Sequence, residues 1–364
     1  MKKYGNVGLI LILILLLVLA LSGCGGNNNS GNDGNTIGAG KSIAYEVGGI
    51  KFNMHYVPGG ITFPTNSSVI YNDVDSIDDK GRATVKSAYW IAETEVTNEL
   101  YNAVYKWAVD GTGDVTGEGE GLYNLFFNWG SNYDRYPKYP ASEVVWGSII
   151  PWCNALTEYC NAKNRTNYKC VYYSDQNYET PIRNGNNVSA TPYIYSANIQ
   201  GNTEMANCTA NGFRLPTSNE WELAARYRGD KNGDGDICDS GEYYPGNHVS
   251  GDTTGPCYSA DSTVTLSTVF GNYAWYDGNL VNGPLTSVAL KLPNALGLYD
   301  MSGTAWEFCF DPWLDPSYPH ITNARTGRGG GGDMSLAANM QLGFVFSTEY
   351  GPPVGCGFRI VRTQ

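Results

Sequence analysis

The stretch Gly297-Leu298-Tyr299-Asp300-Met301-Ser302-Gly303-Thr304-Ala305-Trp306-Glu307-Phe308 decides how the chain is read. Tyr299, Trp306 and Phe308 alternate with polar neighbours, which predicts a half-buried strand. Gly297 and Gly303 mark tight turns or a close approach of backbones. Upstream, Pro216-Thr217-Ser218-Asn219-Glu220-Trp221-Glu222 opens a helix. Thr217 can cap it with Glu220 in a capping box, and Trp221, Ala224 and Ala225 then face inward. A second helix opens at Thr97, a natural N-cap, with Leu100, Val104 and Trp107 on one face. A third covers Ser148 to Asn161, with Ile149, Cys153, Leu156 and Cys160 at helical spacing. Thr84 to Ile91 reads as one strand. Gly, Asn, Asp and Pro punctuate the remainder, so the expected class is a loop-rich α+β domain. Trp221, Trp306 and Arg214 are expected in its core.

Further blocks fall in order around these: Val57-Pro58-Gly59-Gly60, Tyr89-Trp90-Ile91-Ala92-Glu93-Thr94-Glu95-Val96-Thr97, Gly212-Phe213-Arg214-Leu215-Pro216-Thr217, Arg328-Gly329-Gly330 and Gly357-Phe358-Arg359. The series from Met54 to Arg362 resembles the formylglycine-generating enzyme / sulfatase-modifying factor family, whose fold is a variant of the C-type lectin fold. The resemblance implies one calcium held by the Asp300 and Glu307 side chains and the Gly303 and Ala305 carbonyls, with Thr304 where Asn is usual. Calcium is a hard ion that takes six to eight oxygens. Asn272 and Tyr273 match the first half of a second family calcium site, but the acidic loop that should follow is shortened to Asp277-Gly278-Asn279.

The family's oxidase chemistry depends on two cysteines, five residues apart, just after the Arg-Gly-Gly turn. Soft thiolates suit copper(I). Here those places are Met334 and Asn339, and Gly331 and Gly332 replace the serine and aromatic that usually follow the two glycines. Neither copper nor formylglycine synthesis is therefore expected. The same resemblance extends to variable display lipoproteins of diversity-generating retroelements, whose mutable segment is C-terminal. It implies a non-catalytic protein that binds a protein or glycan through Gly329–Cys356. Met334, Leu336, Asn339, Met340, Phe344, Phe346 and Tyr350 are the candidate contacts, most of them apolar or aromatic anchors of the kind found at interface hot spots, and about half of these anchors are expected to be core instead. The alternative is an enzyme of the same superfamily using other chemistry.

One more oxygen-rich segment stands apart from the family blocks. Asp230, Asn232, Asp234 and Asp236 alternate, Gly235 is sixth and Ile237 eighth, as in an EF-hand-type loop. The twelfth place is Gly241, and Glu242 falls one residue late. A calcium site and a solvated acidic turn both fit this pattern. His55, His248 and His320 lack ligand spacing, so no iron or zinc site is expected. No serine or cysteine motif comes with a matching histidine. The Glu93/Glu95 pair reads as solvated or structural.

The chain opens as an exported lipoprotein. Lys2 and Lys3 precede the apolar run Val7–Ala20, and Leu21-Ser22-Gly23-Cys24 ends on a cysteine suited to lipidation. An uncleaved anchor is the other reading, although the run is short for a span of about 20 apolar residues. Residues 1–23 are thus expected as signal peptide, 24–42 as a flexible Gly/Asn/Ser-rich tether and 43–364 as one domain. The expected location is the outer membrane or cell surface of a bacterium, with membrane contact through the lipid. The formal net charge of −12, with 23 Lys+Arg against 35 Asp+Glu, argues against nucleic acid. Eight cysteines remain besides Cys24. Cys238–Cys257 and Cys170–Cys208 are the expected disulfides, with Cys153 a buried thiol.

Overall fold

The computed structural model describes residues 37–364 except 69–71, 110–122, 124, 126–134, 143, 190, 281–284, 314–323, 332–335 and 348–354. The expected signal sequence, Cys24 and most of the expected tether lie outside the described residues. The compact unit begins at Ile37, ahead of the expected boundary. Ile37 packs on the core, and Gly40 N–H donates to the Tyr56 carbonyl at 2.9 Å.

A five-stranded antiparallel sheet forms the frame. Its order is β1 (Ser42–Val47), β2 (Ile50–Val57), β5 (Tyr89–Ala92), β13 (Val361–Thr363) and β8 (Phe213–Arg214). The last strand of the chain thus closes between β5 and β8, tying the C-terminus to the middle of the sequence. A ribbon joins β3 (Ile61–Thr65) to β4 (Gly81–Val85), and another joins β6 (Tyr172–Tyr173) to β7 (Tyr193–Ile194). A four-stranded sheet runs β11 (Phe346–Ser347), β10 (Arg325–Arg328), β9 (Trp306–Pro312) and β12 (Cys356–Phe358), with β12 parallel to β9.

All three expected helices are present: α1 (Asn98–Val109), α2 (Trp146–Asn164) and α3 (Ser218–Arg226). Thr97 Oγ1 accepts the Leu100 N–H at 3.4 Å. Thr217 and Glu220 form the full capping box, at 3.1 and 2.9 Å, a device contributing about 1 kcal/mol. One apolar cluster packs α1 and α2 on the frame, and a second gathers α3 with the β3–β4 ribbon. Trp221, Trp306 and Arg214 are buried as expected.

Two sequence expectations change. Thr84–Ile91 is not one strand, because the Gly59-Gly60 turn packs against Lys86–Ala88 and Gly60 N–H bonds the Val85 and Lys86 carbonyls at 2.9 Å. The break sends β4 and β5 to different sheets. The stretch 297–308 is a turn followed by a strand, with Tyr299 outside β9. Trp306 through Phe310 is buried without alternation, since the polar Glu307 finds its partners inside the protein.

Candidate functional site

The Arg328-Gly329-Gly330 turn rests on an ionic lattice built by α3. Glu222, 1 % exposed, pairs with Arg328 at 2.7 Å and, one helical turn on, with Arg226 at 2.7 Å. It also accepts the Thr65 hydroxyl at 3.0 Å. Burial disfavours its charge, yet Arg328 and Arg226 hold its pKa below the ordinary carboxylate range. Arg328 further donates to Ser218 Oγ at 2.8 Å and to the Leu342 carbonyl at 3.2 Å. Arg226 reaches Asp79 at 2.5 Å. At the other end of the segment, Cys356 pairs with Trp306 in the β9–β12 ladder. Both ends of residues 329–356 are thus pinned in the core.

Between those ends the described candidate contacts divide between core and surface. Met334 and Tyr350 lie outside the described residues. Met340 is fully buried and Phe344 is 3 % exposed, so neither can touch a partner. The chain folds back there beneath the segment: Gly343 N–H bonds the Gly246 carbonyl at 2.8 Å, and Phe344 meets Trp306 with ring centroids 5.8 Å apart. Phe346 is half-buried and stacks on Trp306 at 4.6 Å. Leu336 is 62 % exposed, and Asn339 beside it is partly exposed.

Asp300 and Glu307, expected to hold calcium, belong to a buried charge cluster. Arg359 donates to Glu307 from Nη2 at 2.8 Å and from Nε at 3.1 Å. Trp221 Nε1 donates to the same carboxylate at 2.8 Å. Asp300 takes the Ala289 N–H at 2.6 Å and the Thr304 hydroxyl at 3.1 Å. Both Glu307 oxygens are engaged, and the guanidinium already supplies the positive charge. The side chains expected to reach calcium here, Asp300 and Glu307, thus already have partners within the protein. Among the described residues, no three His, Cys, Asp or Glu side chains converge to hold a metal.

Glu95 is the group the sequence reading missed. Taken there for half of a solvated or structural pair, it is 1 % exposed, and neither carboxylate oxygen has a hydrogen-bond partner. Arg359 stands 3.8 Å away. Burial, and then the negative charge of Asp300, push the Glu95 pKa well above the ordinary range. Its folded pKa is raised, so its contribution is present below the unfolded value of about 4.3 and is lost as pH rises through the folded value. Glu95→Gln should therefore gain in melting temperature on the wild type between pH 5 and 9 and match it near pH 4. Scanning calorimetry across that range checks this, and parallel curves would refute it.

Glu95 also lines a hollow of about 250 Å3 between β5, α1 and Ala289, with Lys51, Asn53, Glu93 and Lys138 on its walls. Glu93 on the rim binds His55 Nε2 at 2.9 Å. Period-2 alternation places Glu93 and Glu95 on the same face, so the local sequence does not separate the buried acid from the one on the rim.

The thiols complete the chemistry. All eight described cysteines are free, so the expected Cys238–Cys257 and Cys170–Cys208 bonds are not formed. Cys257 Sγ faces the Ala337 carbonyl at 3.3 Å, Cys170 the Asn154 carbonyl at 3.9 Å and Cys208 the Ala210 carbonyl at 3.8 Å. Cys153 is buried, as expected. Burial pushes Cys160, Cys238 and Cys257 up to about 12 and holds Cys309 and Cys356 well above the ordinary thiol range. A thiol so held is a poor source of the thiolate that copper(I) binding and nucleophilic attack require.

A family model described as "Sulfatase-modifying factor enzyme 1-like domain" matches residues 53–364. The chaperone protein LppX of Paenibacillus barcinonensis is 28 % identical over 59 % of this chain and 69 % of its own length. The formylglycine-generating enzyme of Thermomonospora curvata is 28 % identical over 42 % of this chain, and the match spans about half (49 %) of that enzyme. Among solved structures, Treponema denticola variable protein 1 is similar with a TM-score of 0.53 and 24 % identity, covering 89 % of this chain and 99 % of that one. CarF is similar at 0.51 and 21 %, covering 86 % and 98 %. The share of the chain that the model spans makes the assignment: this protein belongs to the formylglycine-generating enzyme / sulfatase-modifying factor family.

Proposed function

We propose that the protein is a non-catalytic, lipid-anchored binding protein of the bacterial surface that presents residues 329–356 to a protein or glycan. The anchor reading rests on Cys24 at the end of the apolar run. The observation that carries the binding reading is the contrast within the segment. Arg328 and Cys356 are fixed in the core, while Leu336 between them is the most exposed large apolar side chain described, at 62 %. A rigid base with an exposed apolar anchor is a common form of binding site. The non-catalytic reading is supported by Met334 and Asn339 at the family's thiol positions and by the raised pKa of the nearest cysteine, Cys356.

The purified protein should leave a Cys-x-Pro-x-Arg peptide unconverted with or without copper, as read by mass spectrometry. Aldehyde formation would overturn the non-catalytic reading. On an array of immobilised glycans and surface proteins, Leu336→Asp should fold and lose about tenfold or more of any binding the wild type shows. Full binding by that variant would remove Leu336 from the contact surface. A near-identical copy of the coding sequence for 329–356 in neighbouring DNA would add diversification of this segment by a retroelement.

A further inference from the structure

Beyond α3 the chain forms the loop Asp230-Lys231-Asn232-Gly233-Asp234-Gly235-Asp236-Ile237-Cys238-Asp239-Ser240-Gly241-Glu242, five carboxylates against one lysine. It is pinned to the fold. Thr62 N–H donates to the Gly235 carbonyl at 2.8 Å, Ile237 N–H donates to the Thr62 carbonyl at 2.9 Å, and Ile237 is fully buried. Asp230 takes the Gly233 and Gly235 N–H groups at 2.7 and 2.9 Å.

Glu242 sets this loop apart from a solvated acidic turn. It is 3 % exposed, whereas Asn232, Asp234 and Asp239 are exposed. Its Oε1 accepts the Lys231 N–H at 2.7 Å, which aims the carboxylate into the loop. Its Oε2 is buried with no hydrogen-bond partner. Leaving a carboxylate oxygen dry and unpaired is costly, and a cation in the loop removes that cost. The late position of Glu242 also resolves the departure from the EF-hand pattern. Gly241, with φ +87°, turns the chain so that the thirteenth residue supplies the carboxylate missing at the twelfth place.

We propose that residues 230–242 form a calcium site, held by the side chains of Asp230, Asn232, Asp234 and Glu242 with the Asp236 carbonyl. The donors are all hard oxygens, and Gly235, with φ +80°, occupies the sharp sixth place. The fixed ligand is Glu242. As the loop stands its carboxylates do not converge on one point; the exposed Asp234, which accepts the Asn232 amide at 3.0 Å and the Asp236 N–H at 2.9 Å, turns toward Glu242 when the cation binds. A loop of this flexibility favours calcium over magnesium, which demands near-octahedral geometry.

The test uses the full chain in detergent micelles with terbium(III) as probe. Tyr227 lies three residues before Asp230, so tyrosine excitation should sensitise terbium emission that calcium then displaces. Glu242→Gln should weaken binding at least about tenfold. If that buried substitution prevents folding, the exposed Asp234→Asn decides, and it should weaken binding without lowering the melting temperature in chelator. Glu307→Gln should leave the titration unchanged. Absence of terbium emission and of any calcium effect in the wild type would overturn the site, as would wild-type binding by both loop variants. Loss of binding in Glu307→Gln alone would overturn it too, by moving the cation to the Asp300/Glu307 cluster.

Discussion

Replacing Arg359 with methionine should destabilise the protein by about 3–5 kcal/mol, the usual consequence of removing one partner from a buried ion pair. Arg359 is fully buried. It donates to Glu307 and to the Ala92 and Tyr299 carbonyls, each at 2.9 Å, and it stands beside Glu95. Without it, Glu95, Asp300 and Glu307 would share one dry region with no positive charge. Burial already raises the pKa values of Glu95 and Asp300, and loss of the guanidinium should raise them further. Groups with raised folded pKa values contribute stability at low pH and lose it as pH rises. The deficit of the variant should therefore narrow when urea melts are repeated at pH 5 instead of pH 7.5. The double variant Arg359→Met/Glu307→Met should recover part of the loss, because it removes the stranded charge along with its partner. A deficit that ignores pH, with no recovery in the double variant, would show that Arg359 acts through packing alone.

That cluster also marks where sequence reading stops. Helix α3 was legible because its determinants are local: Thr217 and Glu220 lie within one turn, and the capping box they form is the one observed. The helices opening at Thr97 and covering Ser148–Asn161 were legible for the same reason. Glu95 was not, because its surroundings depend on Arg359, brought by the return of the C-terminal strand to β5, and on Asp300, brought by the Tyr299 N–H bond to the Glu93 carbonyl. The break after Val85 depends on Gly59, which is remote in sequence. The segment 329–356 offered aromatic and apolar residues without a period to separate core from surface. Only its fold shows that Met340 and Phe344 are core while Leu336 faces solvent. Family resemblance carried the architecture correctly, but it did not show that Arg359 stands against Glu307. Local patterns report local hydrogen bonds, whereas the chemistry of a buried charge is set by contacts far apart in the chain.

Gly303→Ala should destabilise the protein by roughly 3–5 kcal/mol through two separable effects. The first is conformational. Gly303 has φ +87° and is followed by Thr304 at φ +66°, so the turn before β9 already contains a non-glycine residue in the left-handed region. A second would cost about 1–2 kcal/mol. The second effect is steric. A Cβ on Gly303 would overlap the Trp275 carbonyl oxygen and stand 2.6 Å from the Trp275 nitrogen. Those are backbone atoms, which cannot swing aside as a side chain would. Movement would also disturb the Gly303 N–H bond to the Gly329 carbonyl at 2.8 Å, which ties this turn to the base of residues 329–356. Gly49→Ala isolates the conformational part: Gly49 has φ +85° and no atom within 4 Å of a Cβ added there. Denaturant melts should therefore place Gly303→Ala well below Gly49→Ala, with the wild type highest. The melting temperature of Gly303→Ala should fall by on the order of 10 °C. Equal losses in the two variants would mean that the Trp275 backbone yields and that strain alone accounts for the glycine.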